Sequence, residues 1–252
     1  MGISALNSYI DRGDMAKAKE FFMDLSTHKE LSEELAPSAL RLIVALRKRG
    51  FFDEAKDIYI SMQALGLSEE VSVSRARAAM NLFESYRKSN LLKEAEEILV
   101  SMARLTPTDE VKLLRAMASV NLVTALAQSG DIKWAHEIYS TMELLGESEE
   151  ICVVRATAAL SLLSAYGDRN KFKEAKLVFQ SIESMDNTED ISYLKAKACV
   201  VMASLLVTIG DIDGAKKLFV DIGKLVDKWP DLWSYRDELF GVIYNATGET
   251  DF

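Results

Sequence analysis

Two histidines, two cysteines and a large supply of carboxylates are the reactive material of this 252-residue chain. His28, in a loop, and His136, on what is expected to be an exposed helix face, have no partner at ligand spacing, so they make no recognisable metal site. Cys152 and Cys199 are too few for a disulfide framework or a cysteine-rich metal site. The sequence has no GxSxG, HExxH, P-loop or GxGxxG pattern. Its carboxylates recur at a fixed interval rather than forming a distinctive pair. The chain is therefore expected to be no enzyme, and to need no metal or cofactor.

What remains is binding chemistry. Mostly polar side chains recur at spacings of four, three and four, with Met117 and Val201 the apolar exceptions, which puts each set on one helical stripe. The sets are Arg77, Asn81, Glu84 and Lys88; Met117, Asn121, Thr124 and Gln128; Thr157, Ser161, Ser164 and Asp168; and Lys197, Val201, Ser204 and Thr208. Arg41 and Lys48 extend the series upstream. Asn81 and Asn121 carry both donors and an acceptor, as the backbone of an extended peptide requires. Arg41, Lys48, Arg77 and Lys88 make the N-terminal end basic, which suits an acidic peptide or a C-terminal carboxylate. A second basic column, Arg75, Arg115, Arg155 and Lys195, follows acidic pairs by four to six residues and is expected to form ion pairs with them.

These residues need a scaffold that repeats. Ala55, Ala95, Ala135, Ala175 and Ala215 stand 40 residues apart, with Ala18 at 37 residues before the first. Gly50, Asn90, Gly130, Asn170 and Gly210 precede them by five, as residues that end a helix in the left-handed conformation. Ser68, Thr108, Ser148 and Thr188 each precede two acids, an N-cap followed by charges that suit the helix dipole. Met62, Met102 and Met142, with Ile182 and Ile222, supply core filler. Each period thus predicts a longer helix A (149–169, for example) and a shorter helix B (172–185), with no strand. Neighbouring repeats must stack to bury their apolar faces. The fold class expected is an all-α, right-handed superhelical solenoid of helix-turn-helix repeats in a single domain over 1–252. Its units are about 1–30, 31–70, 71–110, 111–150, 151–190 and 191–230, with a final helix at 231–246.

The composition, 49% apolar and 27% charged with 3 Pro and 12 Gly, is that of a folded chain. A net charge of −9 argues against a general nucleic-acid or anionic-membrane binder. No uninterrupted apolar run reaches about 18 residues, so no membrane span is expected. The first copy keeps only the tail of helix A, and GETDF at the end is like the opening of a B helix. A fragment of a longer array, cytoplasmic in location, is the expectation.

The second helix, reading φxxAxxφF after a Gly, resembles the tetratricopeptide family of α-solenoids. Tyr86 and Tyr166 fall at its first-helix aromatic, and Tyr59, Tyr139, Phe179 and Phe219 at its second. The 40-residue period departs from that family's 34, and Phe83, Val123, Leu163 and Ala203 replace its first-helix Gly. The run SGDIKWAHEIYSTMELLG (129–146) is similar to a pentatricopeptide motif, a family that binds single-stranded RNA one base per repeat. Its base-reading position falls on Met80, Val120, Leu160 and Val200, which cannot hydrogen-bond a base edge. The tetratricopeptide resemblance implies a scaffold that binds a partner protein or peptide in a concave groove lined by the A helices, and nucleic acid is not expected there. A ligand-sensing or regulatory module of a larger protein is the first alternative, and pentatricopeptide-like RNA binding the second.

Overall fold

The computed structural model describes residues 2–250. Thirteen helices occupy them: α1 (Gly2–Arg12), α2 (Met15–Leu25), α3 (Ser32–Lys48), α4 (Phe52–Ser61), α5 (Glu69–Lys88), α6 (Leu92–Met102), α7 (Asp109–Ser129), α8 (Ile132–Thr141), α9 (Glu149–Gly167), α10 (Phe172–Glu183), α11 (Glu189–Thr208), α12 (Ile212–Lys228) and α13 (Trp233–Thr247). No strand occurs among the described residues. The fold is an all-α helical repeat in which odd-numbered helices are A and even-numbered helices B. Boundaries depart slightly from the spacing argument: α9 and α10 stop about two residues short. In α4 and α8 the last turn tightens into a 3₁₀ turn, Met62–Leu65 and Met142–Leu145.

Both ends of each A helix follow from local chemistry. The hydroxyls of Ser68, Thr108, Ser148 and Thr188 accept from the backbone N–H three residues on, at 3.5, 3.2, 3.4 and 3.4 Å. At the other end Asn90 (φ 59°) and Asn170 (φ 54°) adopt the left-handed conformation otherwise taken here by Gly50, Gly130 and Gly210. The next residue's N–H then reaches back five positions, as in Leu91 to Tyr86 (2.9 Å) and Lys171 to Tyr166 (2.9 Å). This is the Schellman closure, and it turns the chain directly into helix B.

The chain divides into two compact units, Met1–Ala118 and Ser119–Phe252. In the first, α3 packs on α1, α2, α4 and α5, and α5 on α6. In the second, α9 packs on α8, α10 and α11, and α11 on α12 and α13. The column alanines Ala18, Ala55, Ala95, Ala135, Ala175 and Ala215 are all fully buried. Hydrogen bonds tie B helices together inside each unit, Tyr59 to Ser101 at 2.6 Å and Tyr139 to Ser181 at 2.8 Å. At the equivalent α10–α12 seam Phe179 brings no hydroxyl and Asp221 takes the serine's place.

Contrary to the expectation from uninterrupted apolar runs, α9 and α11 are long and apolar enough to cross a membrane by length and composition. Scattered polar residues break the runs without lowering the average hydropathy. Both helices bury one face after another against their repeat neighbours, as core helices of a repeat do.

Leucine in place of Ala55 has no room, and Ala55→Leu is expected to destabilise by about 1–3 kcal/mol, read as a lower denaturant midpoint. Cys199 is buried in α11, and burial pushes its thiol up to about 12, whereas Cys152 is partly exposed. A thiol reagent at neutral pH should therefore modify Cys152 in the folded protein and Cys199 only after unfolding. Equal native reactivity of both would contradict this packing.

Candidate functional site

In the first unit the A-helix stripe is cationic but partly neutralised. Arg41 donates to Asn7 Oδ1 (2.8 Å) and Asp11 Oδ1 (2.7 Å), and Arg77 to Glu110 Oε1 (2.7 Å). All of these groups keep substantial exposure, so solvent screens the pairs. Lys48 and Lys88 are exposed at the C-terminal ends of α3 and α5. Glu84 sits 3.0 Å from Arg87, one turn on. Asn81, expected to hold a partner's backbone, gives an amide N–H to the Arg77 carbonyl (2.9 Å) in its own helix.

In the second unit the stripe is a run of hydroxyls turned back onto their helices. Thr157 donates to the Val153 carbonyl (2.9 Å), Ser161 to Thr157 (3.2 Å), Ser204 to Val200 (3.0 Å) and Thr208 to Ser204 (2.8 Å). Thr124 and Ser161 share a hydrogen bond of 3.1 Å between α7 and α9. Asn121 is half-buried, while Gln128, Ser164 and Asp168 are exposed. Hydroxyls satisfied by the i−4 carbonyl keep a greasy helix wet without needing a ligand.

Lys197 differs. Its ammonium lies 4.7 Å from the centroid of the Tyr193 ring, one turn earlier. Tyr193 meets Tyr235 of α13 edge-on, at 5.2 Å and 88°. The Tyr235 hydroxyl, and after it Lys197, hold the Tyr193 phenol below its usual range, while burial pushes Tyr235 up to about 12. Tyr193 and Tyr235 lie outside the polar stripe read from the sequence. The available signal was an aromatic in a column held elsewhere by Glu33, Val73, Leu113 and Val153.

Two members of the second basic column, Lys195 and Arg75, are not held by the ion pairs expected of them. Lys195 is buried, and its ammonium donates to the carbonyls of Glu183 (2.9 Å) and Met185 and to Asn187 Oδ1 (2.6 Å). It closes the C-terminal end of α10, where orphan carbonyls and the helix dipole favour a cation. Burial lowers its pKa, with the nearby Glu183 and Asp186 opposing that shift. Arg75 is also buried, near the Tyr59 ring, and its Nε meets no hydrogen-bond acceptor. Ion pairs between repeats come from other columns: Lys19 to Asp57 (2.9 Å) and Lys56 to Glu97 (3.1 Å), both joining successive B helices.

His136, expected on an exposed face of helix B, is half-buried between rings, 5.9 Å from Tyr166 and 6.2 Å from Tyr139. Among the described residues no group of three His, Cys, Asp or Glu side chains could hold a metal ion.

The PPR repeat family model matches residues 41–67 and 160–186. Each match runs from the second half of an A helix through the following B helix into the loop, and the two lie about three periods apart. The chain is thus similar to TPR/PPR-like helical repeats, with pentatricopeptide character in two of its own. The segment 129–146 lies outside both matches. No curated protein is found to match the chain. The PPR match overturns the expectation that nucleic acid is not a partner, because PPR repeats point to RNA. The net charge misled because it is unevenly placed: the first unit is close to neutral, and nearly all the acidic excess lies in the second.

Removing the Lys195 ammonium strands two carbonyls and an amide oxygen. Lys195→Met is expected to lower stability by about 1–3 kcal/mol, measured by denaturant unfolding, with Lys195→Arg recovering part of it. An unchanged midpoint in Lys195→Met would show that this cap contributes nothing.

Proposed function

We propose that the protein is a non-catalytic RNA-binding repeat protein that holds single-stranded RNA on the A-helix face of its first unit. The observation that carries this reading is the match of two helical hairpins to the PPR repeat, one of them (41–67) in the first unit, whose A-helix stripe displays Arg41, Lys48, Arg77 and Lys88. Exposed cations on successive A helices suit the phosphate backbone, where most single-strand affinity arises. Arg41 and Arg77 already lie against carboxylates, which orients their guanidinium groups at little energetic consequence in solvent. Base identity would be read weakly. Met80, Val120 and Leu160 are half-buried apolar residues, Val200 is buried, and none offers a donor or acceptor to a base edge. The binding is therefore tolerant of sequence and sensitive to salt.

A second reading, a scaffold for a partner protein, is favoured by those same apolar positions and by the acidic second unit. The two readings separate in one titration. A labelled single-stranded RNA of mixed sequence, about 20 nucleotides long, is followed by anisotropy between about 50 and 200 mM salt. Replacing Arg41, Lys48, Arg77 and Lys88 together by Gln should weaken binding and make the log–log salt slope shallower by about 3, near 0.7 for each phosphate no longer neutralised. A wild-type chain without affinity for RNA, but retaining defined proteins from RNase-treated extract, would establish the scaffold instead.

A further inference from the structure

The A-helix stripe of the second unit ends in aromatic side chains that the repeat does not require. Tyr193 begins the α11 stripe one turn before Lys197 and is 43% exposed despite its contacts with Lys197 and Tyr235. One period later, in the same column, Trp233 of α13 is 57% exposed. The Arg236 guanidinium lies 5.3 Å from the centroid of its ring and 4.7 Å from that of Phe219. Arg236 Nε is buried without an acceptor, so packing rather than an ion pair positions this cation. The helices that carry the two rings pack against each other, and the Tyr193–Tyr235 contact bridges them.

Elsewhere this column holds the exposed Glu33 of α3 and the half-buried aliphatics Val73, Leu113 and Val153. The fold is thus satisfied by a branched aliphatic here, and the exposed part of each ring is surface that the packing does not use. Twice, on adjacent A helices, an exposed ring is paired with a cation. Each cation lies over one face of its ring, and the solvent-exposed part of the ring with that cation beside it matches a nucleotide, whose base stacks on rings and whose phosphate meets the cation. Stacking of this kind is tolerant of sequence, which agrees with the apolar base-reading column.

Resting on the RNA reading above, we propose that Tyr193 with Lys197 and Trp233 with Arg236 are two stacking platforms, one repeat apart, for unpaired bases of single-stranded RNA. Because the surrounding unit is acidic, the affinity gained there comes mainly from stacking rather than from counterion release. The rings and the cations of the first unit therefore act on different observables.

The test uses the full chain and a mixed-sequence single-stranded RNA carrying 2-aminopurine, with a duplex RNA of the same length beside it. Tyr193→Ala and Trp233→Ala should each weaken single-strand binding about tenfold, reduce the change in 2-aminopurine emission on binding, and leave the salt slope unchanged. Tyr193→Phe and Trp233→Phe should retain affinity, and unchanged melting of all four variants shows that they fold. The duplex, whose bases are already stacked, should gain nothing from the rings. Alanine variants that bind single strands as tightly as the parent overturn the platforms while leaving the RNA reading standing. A parent chain that binds no RNA, or that uses Tyr193 and Trp233 to hold a protein instead, overturns both.

Discussion

The closest approach of two antiparallel helices is set by the largest side chain at their crossing, and in each repeat that side chain is a methyl group. Ala18, Ala55, Ala95, Ala135, Ala175 and Ala215 have no exposure at all. Around each of them Ile, Leu, Met, Tyr and Phe interlock at spacings of three and four, so the B helix is fixed in register against its A helix. The left-handed Gly or Asn five residues earlier makes the tight turn possible, and the Schellman bond closes it. Within each unit the A helices are then held in the same orientation, and a column of the sequence becomes a row of side chains at repeat spacing. Whatever the protein binds on that face, it binds through this periodicity.

What could be read directly in the sequence was what depends on near neighbours. A serine N-cap meets an N–H three residues on, and a terminating Asn reorganises bonds five residues back, so Ser68 and Asn90 announced the ends of α5 without knowledge of anything distant. The 40-residue recurrence of the alanines then fixed which helices pair. The role of Lys195 was hidden because its partners are mostly backbone carbonyls, which every residue possesses and no sequence pattern marks. Arg41 was legible as a cation but not as a neighbour of Asn7 and Asp11, which lie a full repeat away. His136 looked exposed on a helical wheel because the ring of Tyr166 that covers it comes from the next helix.

Net charge is a poor guide to partner in a chain whose charge is so unevenly placed. Electrostatic attraction to a polyanion falls off over roughly a Debye length, about 8–10 Å at physiological salt. A phosphate at the α3–α5 face responds to Arg41, Lys48, Arg77 and Lys88 far more than to carboxylates elsewhere. Acid concentrated in the second unit lowers the pI to about 5.0 without removing those cations. It does narrow the ways in which a nucleic acid could engage that second unit. Coulombic capture is disfavoured there, and contact must come through shape, stacking or hydrogen bonds.

The substitutions on the stripe fit that division. The column of Val73, Leu113, Val153, Tyr193 and Trp233 lies at the border of core and solvent, where a branched aliphatic and an aromatic can both root their first carbons in the fold. Exchanging one for the other changes what the face presents while the alanine crossing beneath it stays the same. A repeat array can therefore vary its ligand chemistry from helix to helix without disturbing its packing, cations on α3 and α5 and rings on α11 and α13 being two such solutions on one scaffold. The hydroxyls between them are bonded back to their own helices and give neither charge nor stacking surface.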